Sequence, residues 1–229
     1  MPSISLNIFT NCTASAPSTD MIERTYKSFC ETFGEIKPTI WCDMHPNIKM
    51  AESYIKNLLN LFSYVNMTSS LSDGYLNSIQ NPNNCDYLFQ LEHDWLFNKD
   101  LIKHSLTEII EVMDMYNIYH FRFNKRTNRP AGWDKYMNEQ KITNEQHDYA
   151  LAFCRTNNIS NNPHIISRKK YLDEISKHVK ILSGSKGVEE ELNAIGKYES
   201  CVYGPAGYPA TITHQDGRGV WNKKRGIYT

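Results

Sequence analysis

The sequence predicts a single α/β domain with a mainly parallel central sheet flanked by helices, and three observations carry that prediction. Short β-patterned runs alternate with helix-spaced apolar stretches through the first half, which is the signature of βαβ units. The 229 residues, 40% of them hydrophobic, suffice for one substantial core, since domains usually run to roughly 100 to 200 residues and α/β ones longer. The strongest strand candidate, residues 86–91, runs straight into acidic residues, as strands do at a ligand-binding edge.

Residues 5–9 alternate polar and apolar side chains and read as the first strand, followed by a turn-rich stretch over 10–15. A helix is predicted next: Asp20 caps it with Glu23 three residues on, Ile22, Tyr26, Phe29 and Phe33 share one face, and Gly34 stops it. Residues 39–42 form the second strand and end on Asp43. Ile48, Ala51, Ile55, Leu58 and Phe62 then repeat at helical spacing, a short strand follows at 63–65, and a short helix lies around 74–79. After the central strand, Leu101, Ile102, Leu106, Ile109, Ile110 and Met113 mark another helix, and 118–123 another strand. The pattern is less regular beyond, with a long polar segment over 124–148, a strand at 163–166, helices over 169–179 and 188–197, and a terminal strand at 211–214. No repeat, low-complexity tract or linker divides the chain, so one domain is expected over 1–229.

Charge and composition exclude several classes. With 25 basic and 25 acidic side chains the formal charge is zero, so no global field recruits nucleic acid or an anionic membrane surface. Any anionic ligand must be held by a local site. No apolar run approaches the roughly 18 residues that span a bilayer, and residues 1–10 lack the basic start and long apolar stretch of a signal peptide. The six cysteines are scattered, without a C-x-x-C pair. A soluble, cytoplasmic protein is therefore expected, and the glycosylation-like triplets at Asn11, Asn66 and Asn158 read as chance matches.

Ligands of open α/β sheets bind beyond the carboxyl ends of the strands, and Asp43, Glu92 and Asp94 all occupy expected strand ends. Two acids separated by one residue, just past a buried strand, can present oxygens to a hard divalent cation and leave positions for a diphosphate. His93 between them points to the opposite face of a continued strand and reads as a packing residue or as a support for the acids beside it. Farther on, Glu189, Glu190 and Glu191 open a helix, whose N-terminus favours negative charge whatever its function. With Val188, Leu192 and Ile195 buried, steps of about 100° per residue send Glu190 to solvent and leave Glu189 and Glu191 flanking the core.

This order of landmarks resembles the GT-A glycosyltransferases: the Asp-x-Asp-like motif Glu92, His93, Asp94 after a central strand, the late His214, and a basic, glycine-flanked tail over 217–226. The resemblance implies a GT-A-like, Rossmann-like domain whose residues 1–123 bind a nucleotide sugar and whose residues 124–229 bind an acceptor. It implies a manganese or magnesium ion held by Asp94 and His214, and a ribose contact from Glu92. It also implies base contacts from the loop of Thr10, Asn11 and Thr13, an acid near the nucleoside at Asp43, and a tail carrying Arg218 and Lys223 that folds over the diphosphate. Glutamate in place of the first aspartate departs from the motif, which bears on Glu92 more than on Asp94. Glu189 matches the family's acceptor-activating acid, with Glu191 behind it.

The implied function is metal-dependent transfer of a sugar, of the hexosyltransferase type, from a nucleoside diphosphate sugar, UDP-sugar above all, to a hydroxyl on a carbohydrate or other acceptor. Trp133, Tyr136 and His164 are acceptor-side candidates, because aromatic faces stack on sugar rings and the neighbouring amides Asn161 and Asn162 bond hydroxyls. Two other readings stand beside this one. A nucleotidyltransferase would use a related fold and metal, but it places a glycine-rich loop after the first strand, whereas the first glycine here is Gly34. A catalytically silent nucleotide-sugar or glycan-binding protein would keep Asp43 and Asp94 yet need no base. Neither a nucleic-acid partner nor an integral membrane segment is expected.

Overall fold

A computed structural model describes residues 3–12, 18–43, 48–81, 85–131, 134, 137–144, 149–183 and 186–215. Strands and helices alternate through β1 (Ile4–Asn11), α1 (Asp20–Phe33), β2 (Pro38–Asp43), α2 (Ile48–Leu61), β3 (Val65–Thr68), α3 (Leu71–Gln80) and β4 (Tyr87–Glu92). The strands lie in the order β3-β2-β1-β4, all parallel. Leu6, Ile8, Phe89 and Leu91 are fully buried, as strands covered on both faces require. Phe29 and Phe33 of α1 meet Phe89 and Phe97 edge-on or tilted, with Phe29 and Phe89 centroids 5.0 Å apart. Asp20 is the first helical residue rather than the cap; Thr19 precedes it and its Oγ1 donates to Glu23 at 2.7 Å. Gly34, at φ +88, ends α1 as expected.

The second half comprises β5 (Trp95–Phe97), α4 (Leu106–Met115), β6 (His120–Arg122), β7 (Met137–Asn144), β8 (Tyr149–Thr156) and β9 (His164–Ser167). A helical segment follows, opening with α5 (Arg168–Lys170) and continuing through a π turn at Tyr171–Ile175 and a 3-10 turn at Ser176–His178. α6 (Glu189–Ile195), β10 (Ser200–Tyr203) and β11 (Ile212–His214) complete the order. Among the described residues nine strands form one sheet, β3-β2-β1-β4-β9-β6-β10-β8-β7, parallel through its first half and mixed beyond. β9 runs antiparallel to both β4 and β6, so those two strands point the same way and bring their carboxyl ends to one edge.

Several boundaries differ from the sequence expectation. α4 starts at Leu106 rather than 101, because Ser105 and Glu108 form a reciprocal capping box. The polar stretch 124–148 contains β7, which pairs along its length with β8. β7 is the outermost strand of the sheet, and such a strand needs few apolar side chains. The terminal strand pairs with β5 in a separate two-stranded ladder instead of joining the main sheet. Ile195, expected in the core, is 38% exposed at the end of α6. No helix among the described residues is long and apolar enough to cross a membrane.

Candidate active site

The turn after β4 is fixed by its backbone. The His93 N–H donates to the Phe9 carbonyl at 2.9 Å, and the Thr25 hydroxyl donates to the His93 carbonyl at 2.6 Å, tying the turn to β1 and α1. Asp94 follows, 4% exposed. Its Oδ2 lies 3.1 Å from His214 Nε2, and its carbonyl accepts the Gln215 N–H at 2.7 Å. The β5–β11 ladder sets His214 opposite Trp95, with the two rings edge to face at 4.4 Å. A carboxylate oxygen beside an imidazole nitrogen suits manganese or magnesium when other ligands complete the shell. Among the described residues no group of three or more His, Cys, Asp or Glu side chains could hold a metal by itself.

Beside this pair lie the ends of β1 and β2, where Asn11 stands in register with Asp43. Asp43 Oδ1 accepts a hydrogen bond from Thr68 Oγ1 at 2.9 Å. Burial, helped by the nearby charge of Asp73 and opposed by the Thr68 bond, raises the Asp43 carboxyl to about 6. Thr10 is buried, and its hydroxyl is engaged by Tyr54 at 2.5 Å. Its side chain is therefore turned into the core rather than offered to a base. Glu92 closes β4 in register with Phe9.

Glu189 approaches from the second half. It opens α6, and its Oε2 accepts the Asn161 N–H at 3.2 Å. The approach to the helix turns on Gly187, at φ +95, where a Cβ would stand 2.0 Å from the Lys180 carbonyl; only glycine fits. Glu189 lines a cavity of about 50 Å³ together with Arg122, Lys125, Arg126, Asn128 and Asp134, among others. Arg122 is buried in an ion pair with Asp134. The Lys125 ammonium lies 6.0 Å from the Trp95 ring centroid. The residue is exposed, yet desolvation by the surrounding protein lowers the pKa of its ammonium, against the opposing pull of Glu189 and, more weakly, Glu92. Lys125 thus feels the charge of both Glu189 and Glu92.

Glu191 is held elsewhere, paired with Lys180 at 2.6 Å, while Glu190 is exposed. The predicted helical phase holds for these three acids, but only Glu189 lines the cavity. His164 does not reach an acceptor surface. It is 2% exposed on β9 within the sheet, its Nδ1 meets the Asn162 carbonyl at 2.7 Å, and its Nε2 meets Tyr75 Oη at 2.9 Å. Its ring stacks on His120 at 4.2 Å, so both ring nitrogens are committed to the core. Thr13, Trp133, Tyr136, Arg218 and Lys223 lie outside the described residues. A larger hollow of about 420 Å³, bordered by Glu31, Leu96, Lys99 and Thr213, lies on the other face of the β5–β11 ladder, because Leu96 and Thr213 alternate with Trp95 and His214. Arg122, Lys125 and Asn128 had not been singled out from sequence; the strand-end rule applied to Asp43 and Asp94 would have reached Lys125 had it been extended to β6.

No protein-family model matches the chain, and no curated protein matches it in sequence. Its fold is similar to that of S. aureus TarS 1-349, at a TM-score of 0.54 and 12% identity, over 98% of this chain and 64% of that one. It is also similar to GalNAc-T7, solved with UDP, GalNAc and Mn2+, at a TM-score of 0.56 and 10% identity, over 93% of this chain and 44% of that one. The chain thus spans less than two thirds of the length of either. Both neighbours are GT-A-type glycosyltransferases, and the architecture of this chain is the GT-A fold.

Proposed function

We propose that this chain transfers a sugar from a nucleoside diphosphate sugar, a UDP-sugar first, to a hydroxyl acceptor, with a divalent metal held by Asp94 and His214. The observation that carries the reading is the 3.1 Å approach of His214 Nε2 to Asp94 Oδ2 at the carboxyl end of β4, in a fold whose neighbour GalNAc-T7 was solved with UDP, GalNAc and Mn2+. A manganese or magnesium ion bound there would neutralise the charge that gathers on a departing diphosphate.

The chain's own groups supply the rest. Asn11 and Asp43 form the nucleoside end of the site. An ionised Asp43 can accept a hydrogen bond from the imide N–H of uracil, which cytosine lacks. Glu92 faces the ribose, and Lys125 adds positive charge between Glu92 and Glu189. With Oε2 held by the Asn161 amide, Glu189 takes the proton of the acceptor hydroxyl as its oxygen bonds to the anomeric carbon; the bond from that carbon to the diphosphate breaks, and its electron pair leaves with the diphosphate. Arg218 and Lys223 would close over that group, and Trp133 and Tyr136 would contact the acceptor.

The test is a panel of nucleotide sugars incubated with the purified protein, followed for release of nucleoside diphosphate with and without manganese. Metal-dependent release supports transfer. Tight UDP binding without turnover would make the protein a binding module, and release of inorganic pyrophosphate from a nucleoside triphosphate would make it a nucleotidyltransferase.

A further inference from the structure

The chain leaves β6 through a basic loop whose shape is fixed from inside. Residues 123–131 carry Lys125, Arg126 and Arg129 and no acid. Two buried asparagines anchor them. Asn124 Nδ2 donates to the carbonyls of Arg126 at 3.0 Å and Pro209 at 2.7 Å, and Asn128 Nδ2 donates to those of Tyr203, Gly204 and Pro205 at 2.8 to 3.1 Å. Lys125, Arg126 and Arg129 are exposed. A backbone held in this way limits the ordering cost when its side chains grip a ligand. Because β4 and β6 both run antiparallel to β9, the loop lies at the same sheet edge as Asp94.

Two of the cations stand beside Glu189. Lys125 and Arg126 line the same small cavity as that acid, and the Lys125 ammonium feels the charges of Glu189, Arg126 and Arg122. The indole that Lys125 approaches at 6.0 Å meets the His214 ring at 4.4 Å, so the loop also borders the Asp94–His214 pair. Arg126 is loosely held: its Nη2 is 3.4 Å from the Ala131 carbonyl and 3.8 Å from Asp134 Oδ2, and that carboxylate is already bonded by buried Arg122. The Arg126 side chain is 45% exposed. A guanidinium that shares its carboxylate keeps N–H donors for another oxyanion, and its planar fork matches phosphate. Neighbouring cations repel each other, and a phosphate between them offsets that cost where a neutral sugar does not.

We propose that the hydroxyl acceptor is anionic, and that Lys125 and Arg126 bind a phosphate on it next to Glu189. The inference rests on the glycosyltransferase reading and adds the chemical class of the acceptor. The donor diphosphate offers the same chemistry from another source, so the test fills that position first.

The test titrates inorganic phosphate, glucose 6-phosphate and glucose by calorimetry into protein saturated with UDP and magnesium. The wild type is expected to bind both phosphates. Glucose 6-phosphate should bind at least about tenfold more tightly than glucose, the scale of one charge-assisted hydrogen bond, and this advantage should shrink as salt is raised. Arg126→Gln and Lys125→Met should each remove about tenfold of the phosphate affinity, whereas Arg126→Lys, which keeps the charge, should retain part of it. Melting transitions check that each variant folds, and the wild-type comparison decides without them if one does not. No binding of either phosphate, equal affinity for glucose and glucose 6-phosphate, or an advantage untouched in the folded variants would overturn the proposal. Phosphate binding that UDP abolishes would overturn it too, by assigning the loop to the donor. Failure of the wild type to bind UDP would instead remove the parent reading, and this one with it.

Discussion

His214 Nε2 lies 3.1 Å from Asp94 Oδ2, and the register of β11 against β5 holds it there by placing His214 directly across from Trp95. Two potential ligands from distant parts of the chain are thus positioned by backbone pairing, while the rest of a coordination shell must come from nucleotide and water. Manganese affinity is therefore expected to be weak alone and stronger with UDP. Asp94→Asn removes the charge that holds the cation and should abolish the metal dependence of UDP binding. His214→Ala should weaken it less, by about tenfold, because the aspartate and diphosphate remain. Calorimetry of UDP with and without manganese is the check; equal UDP affinity in all conditions would remove the metal from the site.

Glu189 borders the cavity, whereas Glu191 is paired with Lys180. Glu189→Gln should lower turnover by roughly two to four orders of magnitude, the usual range for a general base, with UDP binding retained. Glu191→Gln should cost only the modest stability of an ion pair. Steady-state kinetics on both variants distinguishes them, and a larger loss in Glu191→Gln would transfer the role to that residue.

The Asp43 carboxyl is raised to about 6 by burial. Between the ordinary carboxylate value and that pH the native state holds the proton more tightly than the unfolded chain. This group therefore favours folding in acid and opposes it once the pH rises above about 6. Asp43→Asn is expected to stabilise the fold at neutral pH by about 1 kcal/mol, after discounting for partial exposure, while weakening UDP binding. Wild-type UDP affinity should fall as the pH drops through about 6. Melting curves and a pH series of titrations test the two halves of this trade; a destabilised Asp43→Asn would contradict it.

His120 and His164 stack at 4.2 Å in the core, and burial lowers both, His164 to about 4. The folded protein keeps them neutral while the unfolded chain protonates them near the ordinary value of 6.5. Their contribution is complete above that pH and is lost as pH falls toward about 4. The unfolding free energy from urea titrations should decline across this window by up to about 1.4 kcal/mol per pH unit for each histidine. His164→Gln should flatten the decline by about one proton, and an unchanged slope would mean that other groups govern acid unfolding.

The period of apolar residues made β1, α1 and β2 legible, and Gly34 marked the end of α1 because a left-handed stop leaves a residue-type signature. β7 left little signal because an edge strand buries little, and β8 was hidden because Ala150, Ala152 and Cys154 blur its alternation. In the site, Asp43, Glu92 and Asp94 could be placed by the strand-end rule, and the acids of α6 by helical phase. His164 could not, since nothing local announces that its strand inserts between two others. Arg126 matters through the donors left over after it shares Asp134 with Arg122, which only the assembled structure reveals.

The insertion of β9 between β4 and β6 also orders events during synthesis. While a ribosome delivers the chain up to β6, the gap between those strands stays open and β4 carries an unpaired edge, the kind of surface that recruits stray strands. Only when residues 164–167 emerge can the two parts of the sheet be joined. Residues 1–123 are therefore not a free-standing module that gene fusion could transplant by itself, and a nascent chain stalled before β9 is a natural client for chaperones.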